Sequence, residues 1–341
     1  MDTAIENTRD LVVTTSAGLW CPRGGFHVDP WGPAALALVT HAHADHARPG
    51  SDAYVCAESC LPLLRRRLGE DAGIRPVPYG EPLVFGDVCV SFHPAGHVRG
   101  SSQIRIEAAG EVWVVSGDYK RAPDPTCEPF EVVPCDVFVT EATFGLPIYR
   151  WEEPALVSAE ILTWWNNCRE RGRPALLFGY ALGKAQRILS ELALLAEPDR
   201  RVLTHGAVEA LVGVYREAGV AMLPTEHVGE PVRGRSFAGE LILAPPSAAG
   251  SPWVRRFRDA ETAFASGWMR VRGTRRRRNF DRGFVLSDHA DWRALLHTIE
   301  QTRARRVLVT HGYAEELARY LRETGLDARA LHTSFEGEAD A

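Results

Sequence analysis

The chain has 341 residues, of which 45% are hydrophobic and 24% charged, a balance that is ordinary for a globular protein with a buried core. No apolar run approaches the roughly 18 residues that a membrane-spanning helix needs, and the polar N-terminus lacks the apolar segment of a signal peptide. We therefore expect a cytoplasmic protein with no membrane partner. The seven cysteines include no CxxC pair, which argues against a disulfide framework or a cysteine-ligated zinc site.

The formal net charge of −5 argues mildly against a nucleic-acid partner. The positive charge is unevenly distributed, however, because arginines cluster between residues 255 and 278. The run of Arg275, Arg276, Arg277 and Arg278 is either a solvated loop or a phosphate-contacting one, and the composition leaves both interpretations open.

The residues up to about 145 predict a series of short strands rich in valine and isoleucine, such as Val88–His93, Val112–Ser116 and Val137–Thr140. One helix, from about Glu58 to Leu68, interrupts them. This pattern is typical of an α/β protein in which sheets carry the core.

From about Tyr149 onward, predicted helices alternate with strands, which indicates a small parallel sheet covered by helices. The helices are predicted at Pro154–Arg169, Lys184–Ala196 and Val208–Ala218, and the strands at Ala175–Phe178, Arg201–Thr204 and Leu241–Ala244. After the arginine run, the predicted elements are Gly283–Leu286, Trp292–Gln301, Arg306–Thr310 and Ala314–Glu323. Because chemically suggestive residues occur on both sides of it, the alternating segment is predicted to be an insertion into a split domain.

The strongest functional signal is the segment THAHADHA at residues 40–47, which directly follows an apolar strand. In an extended chain, residues i and i+2 point the same way, so His41 and His43 can share one metal ion. A tight turn would then direct Asp45 and His46 to a second ion nearby. Imidazole nitrogen and carboxylate oxygen are ligands that zinc takes readily, and their density in this segment argues against a coincidental polar turn.

Two further strand ends carry side chains that can bind metal. His97 lies in the segment HPAGHVRGS after the predicted strand Val88–His93, where the neighbouring glycines let the backbone turn tightly. Asp118 follows the predicted strand Val112–Ser116, where a carboxylate can bridge two metal ions. Taken alone, Asp118 would by default be interpreted as an aspartate that caps a turn.

Glu141, His289 and His311 occupy three similar positions, each at or just past a predicted strand. Each signal is weak alone, because Asp288 or Asp291 could simply cap the following helix. The repeated placement of His, Asp or Glu where strands pass into loops nevertheless favours a site at one edge of a sheet, where loops hold chemical groups on a rigid frame.

The HxHxDH segment at 41–46, the glycine-flanked His97 and the strand-end Asp118 together resemble the metallo-β-lactamase fold. Asp29, in the segment FHVDP, resembles the early strand-end aspartate with which that family supports the metal loop from behind the ligands. The resemblance implies an αββα sandwich.

The residues Glu141, His289 and His311 resemble the three later motifs of the β-CASP nucleases, a branch of that family that acts on nucleic acids. The segment FGYALGKAQR at 178–187 resembles part of the β-CASP cap domain. We therefore expect an α/β fold. A metallo-β-lactamase domain would be formed by residues 1–146 and 282–341, and a β-CASP-like α/β cap by residues 147–281.

This resemblance implies two zinc ions, with manganese as an alternative. Their ligands would be His41, His43, Asp45, His46, His97, Asp118 and His311. The ions would lower the pKa of bound water toward about 7. Asp45, Glu141 and His289 would be the catalytic residues, with Glu141 holding His289 and His289 stabilising the transition state or protonating the leaving 3′-oxygen.

The N-terminal segment GLWCPRGGFHVDPW, which leads into the metal motif, looks like the bacterial ligase-associated DNA exonucleases. That resemblance implies a DNA exonuclease of DNA repair that leaves 5′-phosphates, associated in function with a DNA ligase and a helicase. Lys184 and some of the residues Arg275–Arg278 are expected to hold DNA phosphates in a groove.

Three alternatives stay open. A histidine at position 311 resembles the RNA-cleaving β-CASP members, so an RNA-processing ribonuclease is the nearest of them. A small-molecule metallo-hydrolase could use the same metal site, because a fold does not fix its substrate. A non-catalytic nucleic-acid-binding or scaffold protein would require a degraded metal site, whereas the expected ligands are all present in the sequence.

Overall fold

The computed structural model describes residues 10–229, 235–271 and 280–331. Contacts divide the chain into two compact units. The first unit is formed by the described residues up to Pro123, by Cys127–Pro147, and by those from His289 onward. The second is formed by Asp124–Thr126 and Ile148–Asp288.

The first unit contains two sheets among its described residues. The six strands of one sheet pair in chain order: β1 (Val13–Thr15), β2 (Gly18–Cys21), β3 (Phe26–Val28), β4 (Ala37–Leu38), β5 (Tyr54–Ala57) and β6 (Ile74–Val77). The other sheet has seven strands: β7 (Leu83–Phe85), β8 (Val88–Pro94), β9 (Ser102–Ala108), β10 (Glu111–Val115), β11 (Val137–Glu141), β18 (Arg306–Thr310) and β19 (Asp327–Ala330). Their order across that sheet is β19-β18-β11-β10-β9-β8-β7.

The two sheets share one apolar core. Side chains of the six-stranded sheet, such as Leu19 and Phe26, belong to the same buried cluster as Val90 and Ile104 of the seven-stranded sheet. The alternation of buried and exposed positions along these strands presents one face of each sheet to this core. A second apolar cluster joins strands of the seven-stranded sheet to helices α5 (Trp292–Thr302) and α6 (Ala314–Glu323).

The direction of the strands places four strand ends at one edge of the seven-stranded sheet. β8 and β10 both pair antiparallel with β9, so they run in the same direction. β10 pairs parallel with β11, and β11 pairs parallel with β18. The C-terminal ends of these four strands therefore lead into His97, Asp118, Glu141 and His311, which is the arrangement that the strand-end pattern predicts.

The second unit has a parallel sheet, as the alternation of strands and helices predicts. Its strands are β12 (Ala175–Phe178), β13 (Val202–Thr204), β14 (Thr225–His227), β15 (Leu241–Ala244), β16 (Glu261–Ala265) and β17 (Arg282–Phe284), in the order β14-β13-β15-β12-β16-β17. The described helices of this unit are α2 (Pro154–Glu170), α3 (Lys184–Ala193) and α4 (Gly206–Glu217), while α1 (Leu61–Leu68) belongs to the first unit.

Two expectations from the sequence differ from the structure. The strand predicted at Gly283–Leu286 falls in the expected metallo-β-lactamase domain, which includes residues 282–341. In the structure, β17 pairs with β16 and belongs to the sheet of the second unit, which continues to Asp288. The helix predicted from Glu58 begins with a 3-10 turn at Glu58–Cys60, and α1 starts only at Leu61. In both cases the local sequence predicted that the element exists. Tertiary contacts determined which sheet the strand joins and where the helix begins.

Within the part of the chain that the structure describes, no helix combines the length and the apolar character needed to cross a membrane.

Candidate metal centre

The loop after β4 brings two histidines of the HxHxDH segment to one point. His41 Nε2 lies 3.0 Å from His43 Nδ1, and His97 Nε2, arriving from the end of β8, lies 3.0 Å from the same His43 nitrogen. His41 and His97 are buried, and His43 is half-buried. Three imidazole nitrogens at these separations can bind a single ion.

Asp118 joins this set at the end of β10. Its Oδ2 lies 3.6 Å from His41 Nε2 and 3.8 Å from His97 Nε2. The same oxygen lies 3.5 Å from His46 Nε2, and Asp118 and His46 form a second group of ligand atoms with His311. Asp118 therefore stands between two sets of histidines, which is the place of a carboxylate that bridges two ions.

Asp45 lies beside the second group. Its Oδ2 is 3.7 Å from His46 Nε2, and its side chain is 21% exposed, more than the other predicted ligands of that group. Asp45 is not part of the three described groups in which every ligand atom lies within 4.8 Å of every other. The structure thus brings Asp45 to the edge of the second group.

Asp29 fixes the orientation of the His46 ring. Its Nδ1 lies 2.7 Å from Asp29 Oδ2, so its Nε2 faces Asp118. Asp29 also accepts hydrogen bonds from the Thr40 backbone N–H at 2.8 Å and from the Thr40 hydroxyl at 2.5 Å. A bond to the other ring nitrogen fixes the orientation of a metal-binding imidazole, and Asp29 has the geometry for this role.

His311 is oriented in a similar way by the residue before it. The Thr310 hydroxyl lies 2.6 Å from His311 Nδ1, and the His311 ring stacks on the His46 ring with centroids 5.2 Å apart. His311 has a φ of 60°, an uncommon backbone conformation for a residue with a side chain. Such conformations cluster at functional sites, where the surrounding structure enforces them.

Glu141 and His289 form a third group with Asp118. His289 Nδ1 lies 3.0 Å and 2.9 Å from the two carboxylate oxygens of Glu141. The backbone N–H groups of Tyr119 and Thr143 donate to the same carboxylate, at 2.8 Å and 3.4 Å. The His289 ring centroid is 4.6 Å from that of His97, so the pair lies against the first group of ligands.

One glycine makes the approach of Asp118 possible. Gly117 has a φ of 54°, and a Cβ at this position would lie 2.7 Å from the Cβ of Thr40. A side chain here would therefore be strained and would push against the residue that begins the metal loop.

The charges of the centre suit metal ligands. Burial and the neighbouring His46 hold the pKa values of His41 and His311 well below the usual range, so both rings are neutral, which is the form that binds metal. Burial opposes a charge on His46, but the carboxylates of Asp118, Asp45 and Asp29 outweigh it and raise its pKa to about 10. Without a metal, the carboxylates thus draw a proton onto His46.

The side chains of this centre fit a pair of divalent cations. Burial raises the pKa of Asp118 to about 7, and its Oδ1 is buried with no hydrogen-bond partner among the described residues. A buried carboxylate oxygen left in this way is costly, and a cation would satisfy it. Mixed imidazole and carboxylate donors are the set that zinc prefers, and manganese also accepts them.

Of the residues predicted to contact nucleic acid, only Lys184 lies within the described part of the chain. Lys184 is fully buried, and its Nζ lies 2.7 Å from Asp288 Oδ2, a placement that argues against the predicted phosphate contact. The predicted contacts Arg275, Arg276, Arg277 and Arg278 lie outside the described residues.

Two residues of the centre were missed in the sequence. Thr40 and Thr310 each precede a ligand histidine and contact the ring of that histidine or its supporting carboxylate. The repeated tripeptide Val-Thr-His, at 39–41 and 309–311, is the signal that could have revealed them.

Several curated proteins are similar to this chain in sequence, and they include the following three. A protein named "Probable DNA ligase" from Opitutus terrae is 33% identical over 321 residues, which is 94% of this chain and 31% of that protein. "Ribonuclease TTHA0252" from Thermus thermophilus is 29% identical over 45% of this chain and 41% of its own length. "Endoribonuclease YSH1" from Gibberella zeae is 32% identical over 34% of this chain and 14% of its own length.

The chain thus spans less than half of the length of these relatives. Two of the three are named as nucleases, which supports the relationship to metal-dependent nucleases that the motifs indicate. A comparison with models of known protein families found no match.

Among solved structures, a protein of unknown function from Enterococcus faecalis V583 matches with a TM-score of 0.55 at 11% sequence identity. The match covers 80% of this chain and 74% of that one. At this identity the likeness indicates a shared fold and nothing about activity.

Proposed function

We propose that this protein is a dinuclear zinc phosphodiesterase that degrades DNA from an end, as an exonuclease of DNA repair, and leaves 5′-phosphates. The first unit would be its metallo-β-lactamase αββα domain and the second its β-CASP-like cap. One observation carries the proposal: six side chains from distant parts of the sequence bring their ligand atoms into two overlapping groups that share Asp118. Those residues are His41, His43, His97, Asp118, His46 and His311.

Two bound zinc ions would supply Lewis acidity and a water of lowered pKa at neutral pH. The ligands of one ion would be His41, His43 and His97, and those of the other His46, Asp45 and His311, with Asp118 common to both. Asp29 and Thr310 would keep the His46 and His311 rings in the orientation for binding, as their contacts with the two Nδ1 atoms suggest.

His289 is the proposed acid that gives a proton to the leaving 3′-oxygen. Its Nδ1 faces Glu141, so Nε2, on the opposite side of the ring, is the nitrogen that would exchange a proton with the substrate. Two backbone N–H groups also hold the Glu141 carboxylate, which keeps the direction of the His289 ring constant. Glu141 would thus act through His289.

DNA is favoured as the substrate by the relative named as a DNA ligase. Almost the whole of this chain is similar to a region that makes up 31% of that protein. When one protein joins two activities in a single chain, the activities usually serve one process. A nuclease region within a protein named as a DNA ligase would prepare DNA ends, and this chain would do the same in association with a DNA ligase and a helicase.

RNA is the second candidate substrate. The relatives named as a ribonuclease and an endoribonuclease match parts of this chain, and the histidine at position 311 favours the same alternative. The same metal centre would serve both substrates, because the chemistry at phosphorus is the same.

The test is digestion of end-labelled DNA and RNA oligonucleotides of matched sequence, single- and double-stranded, by protein loaded with zinc or manganese. We expect stepwise shortening of DNA, products with 5′-phosphates and little cleavage of RNA. Faster cleavage of RNA would replace the DNA assignment with the RNA alternative. Absence of cleavage of any strand by metal-loaded protein would contradict the nuclease proposal.

A salt series would test the proposed phosphate contacts of Arg275–Arg278. For single strands, removing one phosphate-binding side chain makes the slope of log affinity against log salt shallower by about 0.7. Replacing the four arginines with serine should therefore make that slope shallower, whereas an unchanged slope would remove this run from the nucleic-acid surface.

A further inference from the structure

A buried ionic network in the second unit ends on the residue before His289. Arg187 Nη1 donates to the backbone carbonyl of Ser287 at 2.7 Å and to Asp288 Oδ1 at 3.0 Å. Lys184 Nζ lies 2.7 Å from Asp288 Oδ2. The side chains of Lys184, Arg187 and Asp288 are 0%, 2% and 3% exposed. Two cations from one helix thus hold both oxygens of one carboxylate.

Further carboxylates complete the network within the same unit. Arg187 Nε donates to Glu191 Oε1 at 2.6 Å and lies 3.6 Å from Asp124 Oδ2. The hydroxyl of Ser158 donates to Glu191. Arg187 is therefore fixed by several partners around its guanidinium, and it has little freedom to move away from the Ser287 carbonyl.

A buried ionic network of this kind adds little net free energy to the stability of a fold. Buried ions lose their hydration, and apolar side chains of similar volume often stabilise a core as well or better. What a fully paired network adds is a single geometry, because each charge has to face its partner. The main consequence of this network is therefore the fixed backbone geometry of residues 287 and 288.

That segment leads directly into the proposed acid. One peptide bond joins Asp288 to His289, so fixing residues 287 and 288 sets the position from which the His289 side chain leaves the chain. On the other side, the N–H of Ala290 donates to the carbonyl of Tyr119 at 2.7 Å, and the Asp291 side chain caps α5. His289 thus has a fixed backbone on both sides.

We infer that Arg187, through its contacts with Ser287 and Asp288, is a positioning residue for His289, and that Lys184 assists it. Arg187 is not expected to touch the substrate or the metals. It fixes the backbone that leads into His289, and Glu141 fixes the ring through Nδ1. Displacement of a catalytic group by about 1 Å can cost roughly 100-fold in rate.

The inference rests on the proposed function, and it is tested by a double-mutant cycle. Arg187→Met removes the guanidinium with little change of volume. We expect kcat on DNA to fall roughly 10- to 100-fold, with KM and zinc content unchanged. In a His289→Ala background, the same substitution should have almost no further effect, because the residue that it positions is absent.

Arg200→Met is the matched control. Arg200 is also an arginine of the second unit, and it is half-buried, with a side chain 9% exposed. It has a hydrogen bond to Asn166 of 2.7 Å and a guanidinium 3.4 Å from the Trp165 ring centroid. These contacts involve neither Ser287 nor Asp288. If Arg187 only stabilises the unit, both substitutions should lower the melting temperature and leave kcat intact. Loss of kcat in Arg187→Met alone supports positioning.

A second readout does not depend on activity. In metal-free protein with ¹⁵N-labelled histidine, the His289 ring signals, assigned with the His289→Ala variant, should shift or broaden in Arg187→Met as the bond to Glu141 loosens. The Arg200→Met spectrum should match that of the wild type. Unchanged His289 signals together with an unchanged kcat would overturn the inference.

The outcomes separate the two claims. If wild-type protein cleaves no nucleic acid, the proposed function fails, and the histidine spectra still decide whether Arg187 positions the ring. If the wild type cleaves and the Arg187→Met effect persists undiminished in the His289→Ala background, only the positioning role fails. Should Arg187→Met not fold, Asp288→Asn takes its place in the cycle, with the same expectations.

Discussion

Two buried clusters of charged side chains can be compared within this protein. The network around Arg187 satisfies its carboxylate from within, because both oxygens of Asp288 face a cationic side chain. The centre around Asp118 does not, since Asp118 Oδ1 has no hydrogen-bond partner among the described residues. The histidines near Asp118 can balance the charge of its carboxylate only when they bind a proton. A site built for a ligand is therefore marked by a buried carboxylate whose charge the protein's own side chains do not fully balance, and not by a high density of charge.

The largest effect expected from this comparison is that of Asp118→Ala. The substitution removes the side chain common to all three groups of ligand atoms, so both metal positions weaken together. We expect kcat on DNA to fall by more than about 1000-fold and the bound zinc to drop below two ions per chain, as measured by elemental analysis. Asp87→Ala is the control, because Asp87 is an exposed carboxylate of the same unit that pairs with Arg23. Full zinc content in Asp118→Ala would contradict the bridging role.

The next effect is that of Glu141→Gln. This change keeps the size of the side chain and one oxygen for His289 but removes the carboxylate charge. If His289 is the acid, kcat should fall roughly 100- to 10,000-fold, the range of general acid catalysis, while zinc content stays at two ions. A fall in zinc content would contradict this role, because Glu141 would then be a metal ligand.

A smaller effect on stability is expected from Gly117→Ala. The new Cβ would have a strained φ and would lie 2.7 Å from the Cβ of Thr40. We expect the free energy of unfolding to fall by about 2–4 kcal/mol in urea titrations. Gly110→Ala is the matched control, since Gly110 has a φ of 79° but open space around it, and it should lose only the roughly 1–2 kcal/mol of backbone strain. Equal losses of unfolding free energy in the two variants would show that the contact with Thr40 does not contribute to the destabilisation.

The smallest signal is the release of protons on metal binding. The pKa of His46 is raised to about 10, so its ring carries a proton at pH 8 in the metal-free protein. A metal ion that binds its nitrogen displaces this proton, and a zinc-bound water of pKa about 7 loses a second one, so zinc titration at pH 8 in weak buffer with an indicator dye should release about two protons per chain. The contribution of His46 should shrink as the pH rises through 10, where its ring becomes neutral, and that of the water should remain. Release of only one proton at pH 8 would mean that His46 is not a ligand.

The sequence predicted those parts of the site that are local. The HxHxDH segment and the strand ends at Asp118, Glu141 and His311 could be located because each follows an apolar run that ends in a turn. The strand at Arg306–Thr310 was predicted with the bounds that the structure has. Periodicity and turn residues carry this information within a few residues of the site.

What the sequence did not predict depends on distant partners. Lys184 is predicted from the sequence to be a basic residue that holds DNA phosphates in a groove, but it pairs with a carboxylate about a hundred residues away. The contact between Arg187 and Asp288 spans 101 residues in the same way. Nothing in the pattern around β17 indicates which sheet it joins, because pairing with β16 is decided by tertiary packing.

Diffraction from crystals of the zinc-loaded protein, with anomalous scattering measured at the zinc edge, tests the dinuclear centre most directly. A dinuclear centre would give two anomalous peaks in the first unit, one among His41, His43 and His97 and one beside His46 and His311, with an oxygen of Asp118 bound to both. No peak among these side chains, or one peak that does not contact Asp118, would contradict it.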